Sequence, residues 1–176
     1  DGEPGPAGAT GADGADGADG MDGAPGADGE NASASIVLSR KRASQGLYPA
    51  VDSLQSRSKM LTPSIVGRRH YEIAREMRST LAQYEELKDI IAMLGMEELS
   101  ADDRRAVARA RRLERFLTQP FFTTEQFTGN QGVMVSTEEA LDGCERILDG
   151  EFDESDEGDL YMIGSIEEVD EEVGGE

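Results

Sequence analysis

Residues 67–95 read GRRHYEIAREMRSTLAQYEELKDIIAMLG, and their spacing decides the fold. Ala74, Met77, Leu81, Tyr84, Leu87, Ile91 and Leu94 recur at steps of three and four, which puts them on one face of a helix over about 67–94. Gly95 follows as a C-cap, since glycine reaches the left-handed conformations that end helices without a steric cost. Further on, Ser100 with Asp103 three residues later is a variant of the capping box, and it opens a helix over about 101–117 with Val107, Ala110, Leu113, Phe116 and Leu117 on one face. Ser136 with Glu139 opens a third, which presents Leu141, Cys144, Ile147 and Leu148 and stops at Gly150. Amphipathic helices joined by short capped turns predict a mainly α fold, a helical bundle.

Towards the N-terminus, SASIVLSRKRAS (33–44) holds one short apolar run, Ile36-Val37-Leu38, read as a strand leading into a helical turn. A lone strand makes no sheet, so this one points to missing partners upstream. GLYPAVDSL (46–54) is a turn-rich connection. Residues 1–33 are a separate low-complexity acidic segment, in which glycine occupies position 2 and every third position through Gly29. Period-three glycine is the demand of three chains wound together, but proline is scarce and the Gly-Ala-Asp units bring like charges together. The reading is a disordered acidic tail, and the alternative is a stalk trimerising through residues 2–29. After residue 150 the chain is acidic again, interrupted by LYMIGSIEEV (160–169), whose apolar residues are expected to dock on the bundle before Ser165 caps a last short helix. The division is therefore 1–33, 34–60, a bundle over 61–169, and an acidic tail over 170–176.

The net charge of −20 belongs to the two ends: residues 1–30 carry eight acids and no base, and residues 149–176 thirteen acids and no base. Such a chain is a poor binder of nucleic acid or anionic membrane. No apolar run approaches a membrane span of about 20 residues, and the N-terminus shows no signal-peptide pattern, which points to a soluble, reducing compartment. Cys144, the single cysteine, falls at an apolar helical position and reads as a small buried hydrophobe. His70 has no second ligand at metal spacing, so no metal site is expected. The arginines at 104, 105, 109, 111, 112 and 115 spread around their helix, which reads as a solvated, salt-bridged face.

Two stretches remain that carry chemistry. MEELSADD (96–103) places Glu97 and Glu98 before the Ser100 cap, and Asp102 and Asp103 in the first helical turn. Acids there favour the helix dipole, or form a projecting loop for a basic partner; nothing nearby would tune them for acid–base catalysis. FLTQPFFTTEQFTG (116–129) holds four of the five phenylalanines. Rings in such a loop plug a core, or offer a flat slot for a purine, where stacking contributes about 1–3 kcal/mol per base. No GxxxxGK[ST] pattern occurs in the 176 residues to cradle phosphate.

IVLSRKRASQGLYPAVD (36–52), SKMLTPSIVGRRHYEIAREM (58–77), LKDIIAMLGMEELSADDRRAVARARRLERFLTQPFFTTEQFTG (87–129), LDGCERILDGEFDE (141–154) and LYMIGSIEEV (160–169), taken in order, resemble the C-terminal third of the F-type ATP synthase beta subunit. The resemblance covers about residues 34–169 and excludes the repeat. It implies a helical bundle preceded, at 34–60, by a remnant of the nucleotide-binding domain. Tyr48, Phe121 and Phe127, with Thr124 facing the base, correspond to the family's adenine pocket for ATP or ADP. Glu97, Glu98, Leu99, Ser100, Asp102 and Asp103 stand where the family has a DELSEED stretch that faces the central rotor. EELSADD has one acid fewer, a change a steric lever is expected to tolerate. The family's DPLDSTSR block is DSLQSRSK (52–59) here, which departs from the segment's usual contacts with neighbouring subunits.

By the same resemblance the partners are alpha subunits and the central-stalk gamma subunit, the location is the synthase head, peripheral on the cytoplasmic side of an energy-transducing membrane, and the whole assembly couples ATP synthesis to ion or proton transport. The family's P-loop, catalytic glutamate and magnesium-organising aspartate precede the matched stretch, so Mg²⁺ belongs to a complete subunit. These 176 residues hold no catalytic residue and are expected to be inactive alone. Two other readings stay open: a collagen-like stalk displaying a helical bundle, and a non-catalytic decoy of the synthase ring.

Overall fold

A computed structural model describes residues 33–169, without the side chains of Phe127 and Thr128. The triplet repeat, its trimerisation and the tail over 170–176 lie outside the described residues. The chain enters as β1 (Ala34–Ser35), turns through α1 (Arg40–Ser44), and returns as β2 (Arg57–Ser58), antiparallel to β1 with Ala34 opposite Ser58. The expected lone strand at 36–38 is therefore corrected: the run is paired. Leu38 bridges Val51, and the amides of Asp52 and Lys59 donate to the carbonyls of Val37 and Ser33, both at 2.8 Å. Sequence distance hid this partner, because the returning strand is polar and short. Ile36 and Leu38 stay outside, 72% and 73% exposed.

α2 (Pro63–Val66) and α3 (Arg68–Leu94) follow, then a 3-10 turn (Met96–Glu98) and α4 (Ala101–Phe116). After a second 3-10 turn (Phe122–Thr124) and α5 (Glu125–Thr128) comes α6 (Thr137–Asp149), and a third 3-10 turn (Glu157–Leu160) returns across the bundle. Helix ends fall where local chemistry puts them. Gly95 ends α3 at φ 91°; Ser100 accepts from the Asp103 amide and donates its hydroxyl to the Asp103 carboxylate at 2.7 Å. At α6 the capping box is complete, and hydrogen bonds from Ser136, its backbone amide first, hold the Glu139 carboxyl below the usual range.

α3, α4 and α6 pack on one another around Leu113 and Ile147, which are fully buried. Burying such a leucine contributes about 1.5–3 kcal/mol. The approach of α4 to α6 runs over Gly143: a Cβ there would meet the Phe116 ring at 2.1 Å. Cys144 packs into the same core, and burial pushes its thiol up to about 12. The stripe predicted on α3 needs correction at both ends. Ile73, not Ala74, is the buried residue near its start, and Leu94 is 63% exposed. Leu94 is the last residue of α3, just before the exposed turn into α4. LYMIGSIEEV docks as expected, with Leu160, Ile166 and Val169 buried.

The arginine face of α4 is ion-paired but not simply solvated. Arg112 is 7% exposed and donates to the carbonyls of Asp153 and Ser155 at 2.9 and 2.6 Å. Arg109 grips the Asp153 carboxylate at 3.0 and 2.7 Å and the Leu148 carbonyl at 2.6 Å. Arg111 meets Glu157 at 3.1 Å. These side chains bind the acidic stretch after α6 onto α4, so the spread around the helix is a spread over partners.

Candidate functional site

The aromatic side of the site is built where two loops meet. Leu47 is buried and anchors the turn after α1, leaving Tyr48 beside it 42% exposed. On the other loop, α4 ends with Phe116 in the core; Thr118 is buried and donates its hydroxyl to the Arg115 carbonyl at 2.6 Å. Pro120 carries no amide to extend the helix. The Gln119 amide then donates to the Tyr48 carbonyl at 2.8 Å, so Tyr48 and Phe121 stand on adjoining backbones. Phe121 is 36% exposed and Phe122 58%. Thr124 is half-buried, and both its amide and its hydroxyl donate to the Phe121 carbonyl, at 3.1 and 3.0 Å. The hydroxyl proton is therefore committed to the Phe121 carbonyl. The ring of Phe127 lies outside the described side chains; its backbone belongs to α5.

The loop closes on itself. Glu125 accepts from the Gly132 amide at 2.7 Å, the Val133 amide donates to the Pro120 carbonyl at 3.2 Å, and the Gln119 side-chain amide donates to the Val133 carbonyl. Gln119 is the joint between the two halves, and nothing in its spacing singles it out, since its role depends on a residue 71 positions earlier. The rings of Phe121 and Phe122 are thus presented outward on a closed loop rather than spent in the core; among the described side chains of that stretch, Phe116 is the phenylalanine that plugs the core. What the arrangement offers is apolar ring surface at Phe121 and Phe122.

The acidic side lies at the far end of the α3–α4 hairpin. Glu97 and Glu98 are exposed in the 3-10 turn, and Leu99 is buried beneath them. Leu99 therefore pins the tip rather than being presented by it. Ser100 and Asp103 are tied to one another, and Asp103 also accepts from Gln83 at 3.0 Å. Asp102 pairs with Arg105 one turn on, and Arg104 donates to the Leu99 carbonyl at 2.9 Å. Among the described residues Glu97 and Glu98 make no ion pair, and both are exposed, so their charge faces solvent. Among the described residues, no group of three or more His, Cys, Asp or Glu side chains could hold a metal ion, and no helix is long and apolar enough to cross a membrane.

A helical hairpin packed on a third helix, with an aromatic loop at one end and an acidic turn at the other, defines a C-terminal helical domain of a rotary ATPase type. Known proteins bear that out. The family model described as the C-terminal domain of V and A type ATP synthase matches residues 59–155, and the chain belongs to that family. It is 73% identical over 139 residues to ATP synthase subunit beta 1 of Marinomonas sp. (strain MWYL1), covering 79% of this chain and 28% of that protein. It is 74% identical over 137 residues to ATP synthase subunit beta 2 of Albidiferax ferrireducens, covering 78% of this chain and 26% of that one. ATP synthase subunit beta of Acaryochloris marina (strain MBIC 11017) is 67% identical over 138 residues, or 78% of this chain and 30% of its own length. The chain thus spans a little over a quarter of the curated relatives it matches.

Proposed function

We propose that residues 34–169 are the C-terminal part of the catalytic beta subunit of an F-type ATP synthase, 34–60 being the edge of its nucleotide-binding domain and 61–169 its helical bundle. Tyr48, Phe121 and Phe127, with Thr124, supply the side of the site that holds the adenine ring. Glu97, Glu98 and Asp102, pinned by Leu99 and capped by Ser100 and Asp103, form the loop that meets the gamma subunit, and alpha subunits flank the whole in a peripheral head on the cytoplasmic side of an ion- or proton-translocating membrane. The observation that carries the reading is the Gln119–Tyr48 hydrogen bond, which joins two exposed aromatic loops within a chain 73% identical to a beta subunit.

Ring stacking without phosphate contacts leaves most nucleotide affinity unmade. These 176 residues are therefore expected to bind AMP and ADP equally, in the millimolar range, with no ATP hydrolysis and no need of Mg²⁺. Calorimetric or NMR titration checks this; micromolar binding of ADP, or ADP bound much more tightly than AMP, would contradict it.

A second reading, the non-catalytic decoy, is favoured by one feature. In the β1 segment, the Ser33 and Val37 carbonyls and the Val37 and Ser39 amides bond to residues 50–59, which among the described residues leaves the opposite edge, with exposed Ile36 and Leu38, open to another strand. Addition of the chain to an assembling synthase head would then lower its ATPase activity in proportion to the amount incorporated; undiminished activity rejects the decoy.

A further inference from the structure

The segment that carries Tyr48 does not rest on continuous packing. Beneath it lies a cleft of about 230 Å³ between Leu47, Pro49 and Val51 on one side and Leu81 and Leu117 on the other. A second, of about 290 Å³, opens beside Gln45 and Leu47 towards Tyr84 and Arg115. The segment is held instead at points. Arg42 pairs with Glu114 at 3.2 Å, with both side chains largely buried, and fixes the end of α1. Leu47 is buried. The Tyr48 carbonyl accepts from Gln119, and the Gly46 carbonyl accepts from the Tyr161 hydroxyl at 2.8 Å. Between the fixed end of α1 and Tyr48 stands Gly46 at φ 77°; its amide donates to the Ala43 carbonyl and the next amide, that of Leu47, to the Arg42 carbonyl, both at 3.0 Å, while the Gly46 carbonyl oxygen itself is held by Tyr161.

We propose that Tyr161 is a positioning residue for the Tyr48 ring: its hydroxyl fixes the Gly46 carbonyl, and with it the direction in which the chain presents the ring. The inference rests on the adenine reading above. Tyr161 is itself held from several sides. Leu160 before it is fully buried, and the Arg115 guanidinium lies 5.2 Å from the centre of its ring. Met162 after it adopts φ 59°, a conformation a non-glycine residue keeps only where its surroundings impose it. What imposes it is the buried Thr118, whose hydroxyl oxygen accepts from the Met162 amide at 2.8 Å. Arg115, Thr118 and Gln119 lie together at the end of α4. One short stretch therefore grips Tyr161 through Arg115 and Thr118 and Tyr48 through Gln119, and the Tyr161–Gly46 bond closes the ring of contacts.

The Gly46 carbonyl and the Tyr161 hydroxyl are exposed enough for water to replace their bond. Removing the hydroxyl should then cost little stability while loosening the Gly46–Leu47 peptide, which keeps only its bonds back to α1. The test is titration of the full 176-residue chain with AMP, followed by NMR of its tyrosine ring signals. Tyr161→Phe is expected to weaken AMP binding about three- to tenfold, the range of one lost hydrogen bond, with a melting temperature within about 2 °C of the parent. Gly46→Ala acts on the same contact, since its methyl group would lie 3.1 Å from the Tyr161 hydroxyl. The Gly46→Ala/Tyr161→Phe double variant should accordingly bind no more weakly than Gly46→Ala alone. Tyr161→Phe with parental affinity, or losses in the double variant that simply add, overturns the proposal while leaving the adenine reading intact. If AMP moves no Tyr48 signal in the parent, the adenine reading falls and the proposal with it.

Discussion

Two acidic stretches of this chain, 97–103 and 149–157, carry the same kind of side chain and come to opposite ends. The second is folded down onto α4 and the end of α6: Asp153 meets Arg109, Glu157 meets Arg111, Glu151 meets Arg146 of α6, and two of its carbonyls accept from Arg112. The first is held by its own cap and by Leu99, and leaves Glu97 and Glu98 facing water. The difference lies in what stands opposite. α4 turns its arginines towards the returning chain, whereas Glu97 and Glu98 at the tip of the hairpin meet no cation among the described residues. A carboxylate that finds a guanidinium across the fold becomes structure. One that projects from a tip remains available to a partner.

That contrast can be broken at its structural end first. Arg112→Ala removes a buried guanidinium and strands two carbonyls, so a loss of roughly 3 kcal/mol is expected in urea unfolding, with faster amide exchange over 151–160. If the loss is below about 0.5 kcal/mol, the ordinary range of surface substitutions, the acidic stretch is held by its apolar residues alone. Asp153→Asn should cost about 1 kcal/mol at neutral pH, as a partly exposed pair does. Its pH dependence has a definite sign. The hydrogen bond from Arg109 holds the Asp153 carboxyl below its usual range. The stabilisation is therefore complete above the unfolded value of about 3.9 and disappears as pH falls below it. Acid unfolding curves of parent and variant should converge towards about pH 2; a gap that persists there would assign the effect to packing.

At the tip the effects should be smaller, and they separate residues that sit side by side. Ser100→Ala removes the cap of α4 and should cost about 1 kcal/mol. Glu97→Gln with Glu98→Gln should leave stability within about 0.5 kcal/mol of the parent. Its effect should appear instead as weaker, less salt-sensitive association with a basic partner helix, read by binding at two ionic strengths. A stability loss as large as that of Ser100→Ala would make these two carboxylates structural and erase the contrast.

The part of the fold that was legible in the sequence is the part made by neighbours in the chain. Gly95, Ser100, the Ser136–Glu139 box and Gly150 mark helix ends because capping bonds reach only a few residues, and the residues within reach are the ones written beside them. Apolar spacing over 107–116 and 141–148 named the buried faces for the same reason. On α3 the spacing was less informative: it chose Ala74 over Ile73 and counted Leu94 as core, because the width and length of a buried stripe depend on how far the neighbouring helices extend. For the candidate site, the exposed rings of Tyr48 and Phe121 could be named in advance, but not the hydrogen bond through Gln119 that sets them on adjoining backbones.

By itself the sequence determined where helices begin and end, which charges gather at the two ends of the chain, and, through its blocks of family signature, which family it belongs to. Only the tertiary structure decided that residues 36–38 have a partner, that Arg109 and Arg112 hold the chain some 40 positions further on, and that the Tyr161 hydroxyl reaches the carbonyl of Gly46, 115 positions away. Local bonds depend on adjacent residues and can be read there. Long-range bonds exist only after hydrophobic docking has brought the backbones together, and the residues that make them carry no mark of their partners.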